Sequence, residues 1–140
     1  MSAMNWILAL DQSTSATKAL LFDHTGHAVD REAREHRQLY PQAGWVEHDA
    51  EEIWQNTLAV LGSVLARHAE IVRDISCLSI TNQRETVVVF ERATGRPLFP
   101  AIVWQCRRSE SICAGHAENG RGSLIHERTG LRLEDRKSVV

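Results

Sequence analysis

The chain has 140 residues, of which 43% are hydrophobic, so it can bury the core of one domain or of part of a larger one. Its formal net charge of -2 leaves no electrostatic footprint for nucleic acid or a membrane surface, and no apolar run approaches the roughly 20 residues that span a bilayer. Three cysteines without a disulfide framework (Cys77, Cys106 and Cys113) and the lack of a signal-peptide pattern predict a cytoplasmic protein.

The first third of the chain predicts three strands. A continuous apolar run at residues 6–10 is typical of a strand buried on both faces. The polar stretch DQSTSATK at residues 11–18 turns the chain into a second strand at 19–23, and a more exposed third strand follows. His24 and His27 have a spacing that metal sites use, but DHTGH is better interpreted as a hairpin turn.

A helix is predicted next, because Asp49 is a good N-cap and Glu52 stands in capping-box register with it. Apolar residues at helical spacing predict the face that packs on the core, with Trp54 buried in it. These residues are Trp54, Leu58, Leu61 and Leu65.

The rest of the chain alternates between strands and turns before a final helix. Strands are predicted at 75–81, 86–92 and 101–104, with a hairpin-like turn at 93–97. A helix at 107–120 would end at Gly120. Since the first helix lies between strands, we expect an α/β domain whose mixed sheet includes parallel pairing.

The turn at residues 11–18 collects groups that suit phosphate. Its serines, threonines and backbone N–H groups would form a concave set of donors, and Lys18 adds a cation. Asp11, at the end of a strand, is placed to hold Mg²⁺ through water. The alternative is an ordinary polar hairpin with a structural Asp. The turn is not a Walker loop, because the glycine spacing and the following helix are both absent.

A second polar cluster, NQRET at residues 82–86, follows the strand at 75–81. Neighbouring residues in a regular strand point to opposite faces, so Arg84 and Glu85 reach one small ligand only if the chain leaves strand geometry near Gln83. Strand ends in open α/β sheets commonly bind ligands. The alternative is an exposed, salt-bridged strand end.

Four segments together resemble the FGGY carbohydrate kinases, and in particular the members that phosphorylate glycerol. They are ALDQSTSATKALLFD, YPQAGWVEHDAEEIW, ITNQRET and AIVWQCRR, and the resemblance runs from residue 6 to residue 133. It implies an actin-like ATPase (ribonuclease H-like) fold, with residues 1–134 as an incomplete N-terminal domain of mixed sheet and flanking helices. It also implies transfer of the γ-phosphoryl group of ATP to glycerol, giving sn-glycerol 3-phosphate.

The same resemblance implies a site for ATP phosphate and Mg²⁺ in the first turn. The matching positions are Asp11 (also for Mg²⁺, through water), Thr14, Ser15, Ala16 and Lys18. The family's turn usually reads Asp-Gln-Gly-Thr-Thr-Ser-Ser-Arg, so Ser13 replaces a glycine and Lys18 an arginine. If that glycine position needs a positive φ, Ser13 is strained there.

Glycerol, by the same resemblance, is bound by three residues. Arg84 and Glu85 match the pair that hydrogen-bonds its hydroxyls, and Trp104 matches a residue that packs against its carbons, although a tryptophan after AIV is by itself more often core. No role is assigned to Arg107 and Arg108. Three further family-like residues are interpreted as loop packing: Trp45, Glu47 and His48.

The family's catalytic Asp and most of its adenosine pocket lie further along the chain, so we expect these 140 residues to be inactive alone. After TGLRL the family continues Asp-Pro-Tyr-Phe-Ser, whereas residues 135–140 match the in-frame translation of a common sequencing adapter and are expected to be artefactual. Homo-oligomerisation of the full-length protein stays open. So do three alternatives: a kinase for another polyol or sugar, favoured by Ser13 and Lys18; a non-catalytic binding fragment; and a chain that does not fold stably.

Overall fold

The computed structural model describes residues 6–133, so the expected artefact at 135–140 lies outside it. Its strands are β1 (Trp6–Gln12), β2 (Ala16–Phe22), β3 (Ala28–Glu35), β4 (Gln38–Leu39), β5 (Glu47–His48), β6 (Ile75–Thr81) and β7 (Ala101–Ile102). Its helices are α1 (Ala50–Arg67), a 3-10 helix (Ala69–Asp74), α2 (Glu110–Glu118) and α3 (Arg121–Thr129).

The larger of two sheets has the strand order β3-β2-β1-β6. β1, β2 and β3 form antiparallel hairpins, whereas β6 returns parallel to β1 after α1 has crossed over. The predicted mixed sheet is therefore confirmed. Because β1 and β6 run in the same direction, their carboxyl ends meet at one edge, where Asp11 pairs in register with Thr81.

The core lies between this sheet and α1. Its buried members are Leu8, Leu10, Ala19, Leu21, Val60 and Val64. The prediction that β1 is buried on both faces is wrong, since Ile7 is 39% exposed on the face opposite α1. Leu78 and Ile80 in β6 are also exposed, although they are in register with Leu8 and Leu10, because this edge strand lies beyond the reach of α1.

Helix α1 begins at the predicted cap but buries a different face. Asp49 Oδ1 accepts from the backbone N–H of Glu51 (2.9 Å) and of Glu52 (3.3 Å). The Glu52 carboxylate does not complete a capping box; instead it accepts from the backbone N–H (3.1 Å) and Nε (2.9 Å) of Arg37. Trp54 is 54% exposed, so its predicted burial is wrong.

The buried stripe of α1 consists of Thr57, Val60 and Val64. Leu58 is exposed as well, while Leu61 and Leu65 pack at the edge of the core. The helix carries two adjoining apolar stripes, and the sheet selects the one with smaller, β-branched side chains, which allows the helix and the strands to approach closely.

The second half is less regular than predicted. Residues 86–92 form no strand; they pair only through isolated bridges, Val87 with Ile102 and Phe90 with Pro97, around a turn in which Gly95 has φ +74°. The strand predicted at 101–104 is reduced to β7, which joins β4 and β5 in a small sheet. Helix α2 stops before Gly120 (φ +70°) as expected, but α3 was not predicted. No helix within residues 6–133 is long and apolar enough to cross a membrane.

Candidate functional site

A cleft of about 330 Å³ opens where β1 and β6 end. Three segments far apart in sequence line it: Asp11, Gln12, Ser13 and Thr14 from the first turn; Asn82, Gln83, Arg84 and Glu85 after β6; and Trp104. The Thr81 hydroxyl donates to Asp11 Oδ1 (2.9 Å), which ties the first two segments together. The parallel pairing of β1 and β6 therefore explains why the two polar clusters share one edge.

The first turn is compact and unstrained. Its chain reversal is closed by Ser13, whose N–H and Oγ both donate to the Ala16 carbonyl, at 3.0 and 2.8 Å. Among residues 6–133, Glu85 alone of the non-glycine residues has a positive φ, so Ser13 occupies the family's glycine position without the expected strain. Ala16 is buried, and its methyl group faces the interior rather than a ligand.

Asp11 and Lys18 face each other across the β1–β2 hairpin and form an ion pair, with Nζ 3.1 Å from Oδ2. Partial burial acts to raise the pKa of Asp11, but hydrogen bonds from Lys18 and Thr81 outweigh it, and the pKa lies below its ordinary value. The carboxylate is ionised and 39% exposed, which fits a water-mediated contact with a divalent cation. Lys18, Ser15 and Ala16 do not themselves line the cleft.

Gln12 lines the cleft. It matches the second residue of the family's turn, but no role was predicted for it from the sequence. Its Oε1 accepts from the hydroxyls of Thr17 (2.9 Å) and Thr57 (3.3 Å), and its Nε2 lies 3.0 Å from Nε2 of His36. His36 also donates its backbone N–H to the Ser15 carbonyl (2.9 Å). Burial holds the pKa of His36 below its ordinary value despite the opposing charge of Glu52, so a neutral imidazole supports the turn from behind.

The chain leaves strand geometry after Thr81, as the joint use of Arg84 and Glu85 requires. Gln83 Nε2 donates to Thr86 Oγ1 (2.6 Å), which closes a turn in which Glu85 has φ +61°. This left-handed conformation costs a residue with a side chain about 1–2 kcal/mol. Such strain is concentrated at binding and catalytic sites, and here it lets neighbouring side chains line one cleft.

Trp104 lies partly in a core and partly in the cleft, and its contact with glycerol stays a prediction. One part of the side chain packs against a small core of Val46, Val103 and Cys106, while the ring also lines the cleft. Its indole Nε1–H donates to Thr14 Oγ1 at 2.9 Å. Trp104 thus connects the segment at residues 82–86 with the turn at residues 11–18.

The segment that carries Trp104 is clamped by Arg108, to which no role was assigned. The guanidinium carbon lies 3.9 Å from the centre of the Trp45 ring, Nη2 donates to Glu47, and Nε donates to Cys106 Sγ (2.9 Å). Trp45 therefore packs in a loop, as predicted. Glu47 and His48 instead lie in strand β5, where Glu47 pairs with Arg108 and His48 is fully buried.

Residues 6–133 contain no group of three or more His, Cys, Asp or Glu side chains that could hold a metal ion, and the DHTGH stretch forms a hairpin turn. Asp23 instead stabilises a hairpin turn: its Oδ1 accepts from the backbone N–H of Thr25 (2.8 Å) and of His27 (3.0 Å). Gly26 completes the turn with φ +82°. The hairpin interpretation of this stretch is confirmed.

Comparison with known proteins identifies relatives over nearly the whole chain. The sequence pattern of the FGGY family of carbohydrate kinases, N-terminal domain, matches residues 6–140. A glycerol kinase of Bordetella pertussis is 50% identical over 134 residues, which are 96% of this chain and 26% of that protein.

Solved structures agree with the sequence matches. The crystal structure of Plasmodium falciparum glycerol kinase with ADP superposes with a TM-score of 0.82 at 35% identity, covering 96% of this chain and 27% of that one. Xylulose kinase from Rhodospirillum rubrum, at 24% identity, has the same fold, with a TM-score of 0.84 over 94% of this chain and 27% of that one. The chain spans about a quarter of the length of the relatives that it matches.

Proposed function

The chain belongs to the FGGY family of carbohydrate kinases and has their actin-like ATPase fold, and from this premise we propose that it forms one wall of the active site of an ATP-dependent glycerol kinase. The reaction would transfer the γ-phosphoryl group of ATP to a primary hydroxyl of glycerol, giving sn-glycerol 3-phosphate. The observation that carries the proposal is the single cleft in which the DQST turn, the NQRE segment and Trp104 meet.

The phosphate side of the cleft is the first turn. The Thr14 hydroxyl, which lines the cleft, would donate to phosphate oxygens. Ser15, Ala16 and Lys18 do not line the cleft, and they would contribute beside it, Ser15 and Ala16 through backbone N–H groups and Lys18 through its charge. Asp11 would hold Mg²⁺ through water, and the bound ion would neutralise phosphate charge. The ionised carboxylate and the 39% exposure of the Asp11 side chain are compatible with this role.

The polyol side consists of Arg84, Glu85 and Trp104. A carboxylate accepts hydrogen bonds from hydroxyls, a guanidinium donates to hydroxyl or phosphate oxygens, and a tryptophan ring covers the carbons between them. A cleft with partners fixed in this way discriminates against analogues that lack a hydroxyl, since their binding would leave its polar groups unpaired.

Residues 1–134 would thus bind and orient the substrates without a catalytic base of their own. We propose that the base and the second wall would correspond to the part of its relatives that this chain, which spans about a quarter of their length, does not cover. Phosphoryl transfer depends on positioning within a closed, water-free site, so one wall alone would not turn over. A cytoplasmic location and a homo-oligomer of the full-length protein remain predictions.

Isothermal titration of the 140-residue chain with a ligand panel tests the proposal. Glycerol is expected to bind, 1,2-propanediol to bind at least tenfold more weakly because one hydroxyl is missing, and Glu85→Gln to remove most of the difference. A coupled ADP assay is expected to give no turnover above the blank.

Preference for xylulose or gluconate over glycerol would replace the proposal with a kinase for another sugar, the alternative that Ser13 and Lys18 favour. Lack of any binding by a chain that melts cooperatively would refute the proposed site altogether.

A further inference from the structure

Trp104 and Thr14 are 90 positions apart in the chain and meet in the cleft. Their contact is a hydrogen bond from the indole Nε1–H to the Thr14 hydroxyl oxygen, with a length of 2.9 Å. Packing of the ring against a polyol does not need this bond. The polyol would contact the face of the indole, whereas the hydrogen bond is made by the N–H at its edge.

The direction of this bond determines what the Thr14 hydroxyl can do. An indole N–H is a donor only, whereas a hydroxyl has one O–H donor and two acceptor lone pairs. Since Trp104 occupies a lone pair, the hydroxyl proton of Thr14 is left to donate to a different partner. A hydroxyl that accepts one hydrogen bond also becomes a stronger donor in the next. The pair is therefore suited to an anionic oxygen.

We propose that Trp104 is a positioning residue for the phosphate turn: its indole N–H holds the Thr14 hydroxyl as a donor directed at a phosphoryl oxygen. The inference rests on the proposed function for the identity of the two ligands. It adds that one side chain serves both ligands, since the same ring that covers the polyol carbons orients the phosphate donor.

The indole belongs to a segment that is held in place by its neighbours. Val103, next to Trp104, is 1% exposed, and its N–H donates to the Val46 carbonyl (3.1 Å). The Cys106 N–H in turn donates to the Val103 carbonyl (2.8 Å). Thr14 lies at the tip of a hairpin turn. The next residue, Ser15, accepts a hydrogen bond at its carbonyl from the His36 backbone N–H. Backbone hydrogen bonds therefore hold both the segment that carries the indole and the turn that carries the Thr14 hydroxyl.

The first arm of the test is titration of the 140-residue chain with MgADP and, separately, with glycerol. Trp104→Phe keeps an aromatic face and removes the N–H, so we expect MgADP affinity to fall about threefold to tenfold, the usual effect of losing one hydrogen bond, whereas any loss of glycerol affinity would reflect the smaller ring. Trp54→Phe is the matched control, because Trp54 does not line this cleft, and it should change neither affinity.

Thr14→Val should weaken MgADP binding at least as much as Trp104→Phe. The double variant should then bind no more weakly than Thr14→Val alone, because both changes disrupt the same contact. Circular dichroism at the titration temperature verifies that every variant is folded.

The second arm needs no ligand. The chain has four tryptophans, and Thr14→Val should shift one indole N–H signal in its NMR spectrum, the signal that Trp104→Phe removes, while Thr14→Ser should leave it in place. Unchanged MgADP affinity in Trp104→Phe, or an unmoved indole signal in Thr14→Val, overturns the inference while glycerol binding still supports the proposed function. If the unaltered chain binds neither ligand, the proposed function fails and the inference fails with it.

Discussion

We predict that His48 makes the stability of the folded chain sensitive to acid. The side chain is fully buried in β5, and neither ring nitrogen has a hydrogen-bond partner within residues 6–133. Burial holds the pKa of His48 below its ordinary value, and charge repulsion with the protonated form of His36, whose ring centroid is 5.9 Å away, lowers this pKa further against the weaker effect of Glu52. His36 itself is buried and its pKa is lowered too.

The sign of the effect follows from proton linkage. In the unfolded chain both histidines titrate near pH 6.5, whereas in the folded chain they take up protons only at lower pH. Stability is therefore fully present above about pH 6.5 and is lost as pH falls through the folded-state pKa values. Each histidine can change the free energy of unfolding by at most about 1.4 kcal/mol per pH unit, and the pair by at most about 2.7 kcal/mol per pH unit. Asp11, Asp30 and Glu52 also have lowered pKa values, but they act at more acid pH.

Urea unfolding at pH 7.5, 6.5 and 5.5, followed by tryptophan fluorescence, measures this slope. His48→Leu removes one titrating group and an unsatisfied polar group, so it should reduce the slope by about half and leave the free energy of unfolding at pH 7.5 unchanged or slightly higher. His24→Leu, in the exposed hairpin turn, is the control for replacing an imidazole by leucine. An equal slope in the unaltered chain and in His48→Leu would refute the reasoning.

Three further predictions concern stability. Leu21→Ala opens a cavity between the sheet and α1 that costs about 2–5 kcal/mol, and circular dichroism should show loss of the cooperative melt; a melting temperature within a few degrees of the original would contradict this. Glu85→Gly should be about 0.5–1 kcal/mol more stable than Glu85→Ala in urea, since glycine adopts φ +61° without a clash, and equal stabilities would show that the turn is unstrained. Arg108→Lys keeps the charge but loses the flat stack on Trp45, and should cost about 1 kcal/mol in the same assay; no loss would mean that the stack does not stabilise the clamp.

Local sequence patterns were sufficient to predict much of the fold and the residues that make up the site. The strands from residue 6 to residue 35, the Asp49 cap and the turns at Gly26, Gly95 and Gly120 follow from side-chain periodicity and turn residues, which act over a few positions. The two polar clusters could be recognised as neighbours because parallel strands bring their carboxyl ends to one edge.

Features that depend on distant neighbours could not be predicted in this way. The apolar pattern of α1 fits two adjoining stripes, and contact with the sheet selects the one that excludes Trp54. The segment at 86–92 has the composition of a strand, but strands require hydrogen-bonding partners, and it finds only isolated bridges. Helix α3 is short and polar, and it begins after Gly120 without a side-chain cap, so it lacks the start signal that identified α1.

Within the cleft, the sequence by itself determined which chemical groups are present: a Ser/Thr turn, a cation and anion pair after a strand, and a tryptophan. Only the tertiary structure decided how they are used. It pairs Lys18 with Asp11, leaves Ser13 unstrained, and joins Trp104 to Thr14 across 90 positions. Hydrogen bonds and ion pairs depend on distances of a few ångströms between side chains, and packing of the whole chain determines those distances.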